Sequence, residues 1–480
     1  MNRRMVLNTV GNIILAEAVL LILPAIVSVI YKEQCIWSFL IVIGIALLLG
    51  LILKYTTRPD NKTIYAKEGF VIVSYAWVLM SAIGALPFFL SGEIPNYIDA
   101  FFETVSGFTT TGASILTDVE SMSHGLLFWR SFTHWIGGMG VIVFVMAIIP
   151  NIADRSMNIM KAEVPGPTVG KLVPKARETA RILYLIYIAL TFLMFVLLLC
   201  GDMNIFESAV HAIGTAGTGG FGIKADSIGS YSPYSQWVIT AFMFVFAINF
   251  NLYYLILLRK IKSVLKSTEL WFFLGLVAVS IASIALNTSS MFTSVEETLR
   301  HSSFQVATVI STSGFATTDF NLWPGLSKAI LFTLMFIGGC AGSTAGGLKN
   351  ARVVMLLKNI FRELKKMLHP RSVRAVSMED KRVDEQTLSG VTTYFAFYAV
   401  CIAGIFVLIS FEPFGLESNL SAAVACFNNI GPGFGEVGPA GSYANYTMFS
   451  KVILSFGMLL GRLEIFPLIL GLNPLAWRKR

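Results

Sequence analysis

The sequence predicts an all-α polytopic membrane protein. It reads as four tandem span–pore-helix–span repeats around a central pore, preceded by two extra transmembrane helices. Composition, cation placement and an internal repeat predict it. The 480 residues are 55% hydrophobic and only 13% charged, with a mean hydropathy of +0.71, whereas a soluble chain carries roughly 25% charged residues. The deficit and the long apolar runs favour the bilayer. The net charge of +8 is expected of cytoplasmic loops in such a protein and does not call for nucleic acid. Five scattered cysteines (35, 200, 340, 401 and 426) form no CxxC or Cys/His cluster. They read as small packing residues without a disulfide framework. The first apolar run is too long for a signal peptide and lacks a clear cleavage site, so it is expected to be a retained span.

Candidate spans are 6–31, 35–54, 69–91, 124–150, 178–201, 234–258, 268–287, 326–348, 387–411 and 445–471. Each approaches or exceeds the ~20 residues that cross ~30 Å of hydrocarbon. With the N-terminus inside, 29 of the 36 Lys and Arg fall in the segments 1–5, 54–68, 151–181, 259–267, 349–386 and 472–480. Lys32, Arg130, Lys224, Arg300, Lys328 and Lys451 fall on the other side, and Arg462 lies within a span. That asymmetry predicts cytoplasmic termini and an even number of crossings.

Between alternate spans lie four segments, 95–120, 202–232, 292–325 and 412–443, whose apolar parts suffice only for half-membrane helices. Asn204 with Glu207 and Ser294 with Glu297 read as helix-start signals. Each segment runs into a glycine: "ETVSGFTTTG", "HAIGTAGTGG", "QVATVISTSG" and "AAVACFNNIG". These glycines, 112, 220, 314 and 431, are 108, 94 and 117 residues apart, a repeat of about 100 residues. Irregular backbone at membrane depth survives only inside protein or beside water. Glycine lets successive carbonyls point one way, and four such loops would make a ring replacing a cation's hydration shell. The half-helices would aim their negative C-terminal ends at the same axis. Gly217 competes with Gly220 in the second repeat, and Gly433 with Gly431 in the fourth.

The segment "MFIGGCAGSTAGGLKN" (335–350) is too glycine-rich for a helix. It reads as a loop at 336–349 dipping across the pore below the glycines; tight packing by small residues is the alternative. Gly342 and Gly347 have phosphate-loop spacing, but Leu348 occupies the required lysine position. Arg462 needs a partner or water. It reads either as a structural ion pair or as a charge lining the cavity and holding the Gly-rich loop through its carbonyls. Glu464 is a poor direct partner, two residues along the same helix. The acids Glu103, Asp118, Glu120, Asp226, Glu296, Glu297, Asp319 and Glu436 are expected on the outer side, as solvated loops or as cation attractors. The basic tract 349–382 suits anionic lipid headgroups or an acidic protein surface.

Four span–pore-helix–span units, with "HWIGGMGVIVF" (134–144), "GGCAGSTAGGLKNARV" (338–353), "NNIGPGFGEVGP" (428–439) and "GRLEIFPLIL" (461–470), resemble the Trk/Ktr/HKT superfamily of potassium transporters. The two extra N-terminal spans look like its TrkH/TrkG branch. The resemblance covers essentially the whole chain. It implies domains at 1–68 (the two-helix extension), 69–177, 178–267, 268–384 and 385–480. It implies channel-like potassium uptake at the inner (cytoplasmic) membrane, with K⁺ as permeant ion and no organic cofactor on this chain. A homodimer is implied, with surrounding membrane lipids and a cytoplasmic TrkA-type nucleotide-binding regulator. By position it implies a potassium filter of Thr110, Thr111, Gly112, Thr218, Gly219, Gly220, Thr312, Ser313, Gly314, Asn429, Ile430 and Gly431. It implies a gate of Gly338, Gly339, Gly342, Ser343, Thr344, Gly346, Gly347, Lys349 and Arg462. No repeat carries the full TVGYG string of potassium channels, so one selective stage with weaker outer sites is expected.

Two other classes are weighed. A Na⁺- or H⁺-coupled symporter normally wants midplane carboxylates or inverted repeats. Here the repeats run parallel, and few acids fall within spans, Glu17 and Glu464 among them. An intramembrane enzyme would need a catalytic cluster, and Ser131, His134 and His211 form none in the sequence.

Overall fold

The computed structural model describes residues 2–59, 66–140, 176–371, 374–379 and 381–473; the regular structure there is helical apart from one two-stranded hairpin. The N-terminal spans are α1 (Arg3–Leu20) with α2 (Ile22–Ile30), and α3 (Ile36–Thr56). They pack closely through small residues: a Cβ on Gly50 would stand 2.7 Å from Leu15 Cγ, and one on Gly11 2.8 Å from Leu53 Cβ.

The first repeat comprises α4 (Ala66–Gly84) with α5 (Leu86–Ser91), the half-helix α6 (Tyr97–Phe108) and α7 (His124–Gly138). The second is α8 (Ala176–Leu199), half-helix α9 (Ile205–Ala216), α10 (Pro233–Ala247) and α11 (Phe250–Leu257), with a short α12 (Ile261–Leu265) following. The third is α13 (Thr268–Thr288), half-helix α14 (Val295–Ile310), α15 (Gly325–Ile337) and α16 (Asn350–Leu368). The hairpin β1 (Ser377–Met378) and β2 (Lys381–Arg382) leads to the fourth: α17 (Glu385–Ile409), half-helix α18 (Leu416–Phe427), α19 (Met448–Arg462) and α20 (Ile465–Leu472).

The packing closes a circle. The half-helices α9, α14 and α18 pack on the second helix of the preceding repeat (α7, α10 and α15), and α6 packs on α19 of the last. A polar clamp recurs in all four units. Glu93 accepts from the Ser123 N–H at 3.0 Å, and Asp202 from the Ser232 N–H at 2.8 Å. Asn287 accepts from the Ser327 hydroxyl at 2.8 Å, and Glu412 from the Thr447 N–H at 2.9 Å. In each unit the clamp ties the end of the first span to the start of the inner helix; in three of them it satisfies an otherwise orphaned helix-start N–H.

Several expected spans are not continuous helices. Segment 234–258 bends by 91° between α10 and α11, and 445–471 bends by 116° between α19 and α20. Segment 326–348 is helical only to Ile337, and 124–150 only to Gly138 among its described residues. The breaks have local causes: Asn249 caps the new helix α11 through the Asn251 N–H, and Glu464 is left-handed at φ 63°. Residues 141–175 and 474–480 lie outside the described residues.

Candidate functional site

All four half-helices end in the same turn. The N–H groups of Thr111, Gly219, Ser313 and Ile430 donate to the carbonyls of Ser106, Gly214, Thr308 and Ala425 at 2.8, 3.0, 2.8 and 2.9 Å. The preceding residues, Thr110, Thr218, Thr312 and Asn429, are all left-handed, with φ of 58°, 55°, 57° and 57°. Such a helix end usually places glycine there, with asparagine as the tolerated substitute. Threonine is β-branched, and the left-handed region costs an L-residue on the order of 1 kcal/mol. Three strained threonines at one structural position mark a constrained site. The turns also fix the register: Thr218 and Asn429 align Gly220 and Gly431, rather than Gly217 and Gly433, with Gly112 and Gly314.

These four glycines form a closed ring. A Cβ on Gly112 would stand 2.7 Å from Gly220 N, and one on Gly220 would meet the backbone of Gly314 and the Ser313 carbonyl. One on Gly314 would meet the Ile430 carbonyl, and one on Gly431 would stand 2.6 Å from the Thr111 carbonyl. Each quarter is thus packed backbone against backbone on the next. The Asn429 amide reinforces the seam between last and first quarters, donating to the Thr111 hydroxyl at 3.0 Å and the Met458 carbonyl at 2.9 Å.

A cavity of about 370 Å³ opens onto the ring, with all four glycines in its wall. Of the eight acids, Glu436 lines this cavity, beside Arg130 and Lys224. Glu103 is buried and paired with Arg130 at 2.6 Å, so neither is a solvated outer charge. Arg130 also donates to the Gly222 carbonyl at 2.9 Å and lies over the Phe221 ring, joining the first two quarters. Asp118, Glu120, Asp226, Glu297 and Asp319 accept hydrogen bonds from nearby loop and helix-start groups, and Glu296 pairs with Arg300.

On the other side of the ring lies the Gly-rich segment between α15 and α16. Gly338, Gly342, Gly347 and Lys349 are left-handed, which lets the chain fold back on itself. The Lys349 N–H donates to the Ile337 carbonyl at 2.9 Å, and the Asn350 side chain to the Gly338 carbonyl at 2.7 Å, closing the loop at its neck. Within it, Gly339 abuts Ala345, the Ser343 hydroxyl donates to the Cys340 carbonyl, and the Lys349 ammonium to that of Ala345. The Gly346 N–H donates to the Thr312 hydroxyl at 2.6 Å, and the Thr344 hydroxyl to the Phe246 carbonyl at 3.1 Å. Arg462, 4% exposed, donates to the Thr344 carbonyl at 2.7 Å and to those of Gly137 and Gly138 at 2.6 Å.

Sequence reasoning missed Glu269. Its carboxylate accepts from the Ala341 N–H at 2.7 Å and the Ala351 N–H at 2.9 Å, stapling both ends of the loop. It also missed the ion pair of Arg352 with Glu464. A Glu in the first turn of an otherwise apolar span was the available signal for Glu269. His211 Nδ1 lies 2.8 Å from the Glu207 carbonyl, and His134 Nδ1 2.8 Å from that of Gly107; both are packing histidines. Cys35, Cys340 and Cys426 are buried as expected, but Cys200 is exposed.

The fold and site define a polytopic membrane transport protein whose four re-entrant quarters meet on an axis. The family model described as "TrkH: Cation transport protein" matches residues 36–474, and the chain belongs to that family. It is 36% identical to the Trk system potassium uptake protein TrkH of Salmonella typhimurium, across the full length of both chains. It is 32% identical to the Trk system potassium uptake protein TrkG of Escherichia coli, over 99% of each. The crystal structure of the potassium transporter TrkH from Vibrio parahaemolyticus superposes with a TM-score of 0.89, 30% identity and full coverage of both chains.

Proposed function

We propose that this chain takes up potassium through the glycine ring, in a channel-like manner, with the Gly-rich loop and Arg462 as its gate. The observation that carries this reading is the closed ring of Gly112, Gly220, Gly314 and Gly431 beneath an open cavity, each glycine two positions after a left-handed residue. Carbonyls of Thr111, Ser313 and Ile430 converge on that ring, suited to a dehydrated cation. The potassium specificity rests on the relatives' described activity. The loop fits a gate because it lies directly against Thr312 and is held by a buried arginine. Arg462 adds a positive charge that opposes cation passage while the loop is in place.

The same reading places the protein in the inner membrane with cytoplasmic termini, as the cation distribution supports. It includes a homodimer and a nucleotide-binding regulatory partner, which rest on the family resemblance. Tight coupling to Na⁺ or H⁺ is disfavoured: Glu464 is engaged by Arg352, and Glu17 lies on α1, which packs chiefly on α3 and α4.

Rb⁺ uptake into proteoliposomes, competed by Na⁺, tests the proposal. Changing each ring glycine in turn to Ser is expected to abolish the Rb⁺ preference, and Arg462→Ala to raise the flux. Absence of saturable Rb⁺ uptake by the parent protein would overturn it.

A further inference from the structure

Helix α16 leaves the packed core after its first turns. Val354 and Met355 are buried, whereas Leu357, Ile360, Phe361, Leu364, Met367 and Leu368 are exposed. Their spacing puts all six on one helix face. Arg362, Lys365 and Lys366 stand off that face, and a pocket of about 240 Å³ lies between them, Glu363, Pro370, Arg374 and Glu385. Arg362 is engaged by Glu363 and Glu385. Lys365, Lys366 and Arg374 have no carboxylate partner among the described residues. Lysines at a helix end offset its dipole, but that explains neither Arg374 nor the bare apolar face.

The depth of the pocket identifies its occupant. Glu385 begins α17, a span of 25 residues. At 1.5 Å per residue such a helix is about 37 Å long, more than the ~30 Å hydrocarbon core. Its first turn therefore reaches the headgroup layer, and the Arg362–Glu385 pair pins the pocket there. We infer that the pocket binds the phosphate of an anionic glycerophospholipid, with the lipid chains along the apolar face of α16. Cations at headgroup level beside an apolar helix face are what such a lipid requires.

Native mass spectrometry of the delipidated full-length protein, titrated with dioleoylphosphatidylglycerol or dioleoylphosphatidylcholine, tests this. The parent protein is expected to retain the anionic lipid preferentially. The triple variant Lys365→Gln, Lys366→Gln, Arg374→Gln should weaken that binding about a hundredfold, taking roughly fivefold per cation near an anionic surface. It should leave phosphatidylcholine binding unchanged. Phe361→Gln with Leu364→Gln should weaken the lipid but not inorganic phosphate. Equal phosphatidylglycerol binding by parent and triple variant overturns the inference. So does inorganic phosphate displacing the lipid at equal concentration, which marks a soluble-anion site. Loss of a dimer in the triple variant with lipid binding intact also overturns it, because the face then joins two copies of the chain.

Discussion

The Gly346 N–H and the Thr312 hydroxyl lie 2.6 Å apart, so the Gly-rich loop is tied directly to the third turn of the glycine ring. Thr312 is also one of the strained left-handed residues. One hydroxyl thus couples the position of the loop to the geometry of the ring.

Thr312→Val keeps the β-branch and the carbonyl but removes the acceptor. The Gly346 N–H is then buried without a partner, at about 1–3 kcal/mol. Rb⁺ uptake should rise severalfold while Rb⁺ over Na⁺ preference persists. Thr312→Ser should behave as the parent protein.

Glu269→Ala frees the N–H groups of Ala341 and Ala351 together. The loop should loosen, raising uptake and exposing Cys340, now 1% accessible, to maleimide. Labelling is measured in a background lacking the exposed Cys200. Glu269→Gln keeps one acceptor oxygen and should give a smaller effect. No change in labelling would remove Glu269 from the loop's control.

The Glu103–Arg130 pair makes a double-mutant cycle. Removing one partner leaves a buried charge, which costs about 3–5 kcal/mol. Arg130→Met or Glu103→Leu alone should lower the thermal midpoint by several degrees. The double variant should lose less than the sum, because no bare charge remains.

The clamps give a pH dependence with a definite sign. Partial burial alone would raise the carboxyls of Asp202 and Glu412. Hydrogen bonds from Ser232 and Ser235, and from Ser450 and Thr447, outweigh it and hold both below their ordinary values of 3.8 and 4.5. Their contribution is complete above those ordinary values and is lost as the pH falls through the lower folded ones. Thermal stability should therefore drop below pH ~4.5. Asp202→Asn with Glu412→Gln should flatten that slope, losing part of the clamp already at neutral pH.

The repeat architecture was legible because hydrophobic length and cation bias act over tens of residues. The start signals at Asn204 and Ser294 were legible too, and both side chains accept from the third helical N–H, at Glu207 and Glu297. The bends at Asn249 and Glu464 were not. Besides its local cap or angle, each turn is also held by a partner far away in the chain: the Gly342 carbonyl for the Phe250 N–H, and Arg352 for Glu464. The burial of Glu103 was not legible for a related reason: its charge is visible in the sequence, but its partner Arg130, 27 residues on, is not. The choice between Gly217 and Gly220 needed the backbone angle of Thr218.

The seam between Asn429 and Thr111 shows that the ring is closed by one chain, with its first and last quarters meeting non-covalently. In a ring of four identical subunits every substitution is made four times over. Here it is made once. The ring can therefore be titrated, one, two, three or four altered quarters at a time, and each quarter is free to specialise: the loop is bonded to Thr312 of the third, while the fourth carries the lone asparagine.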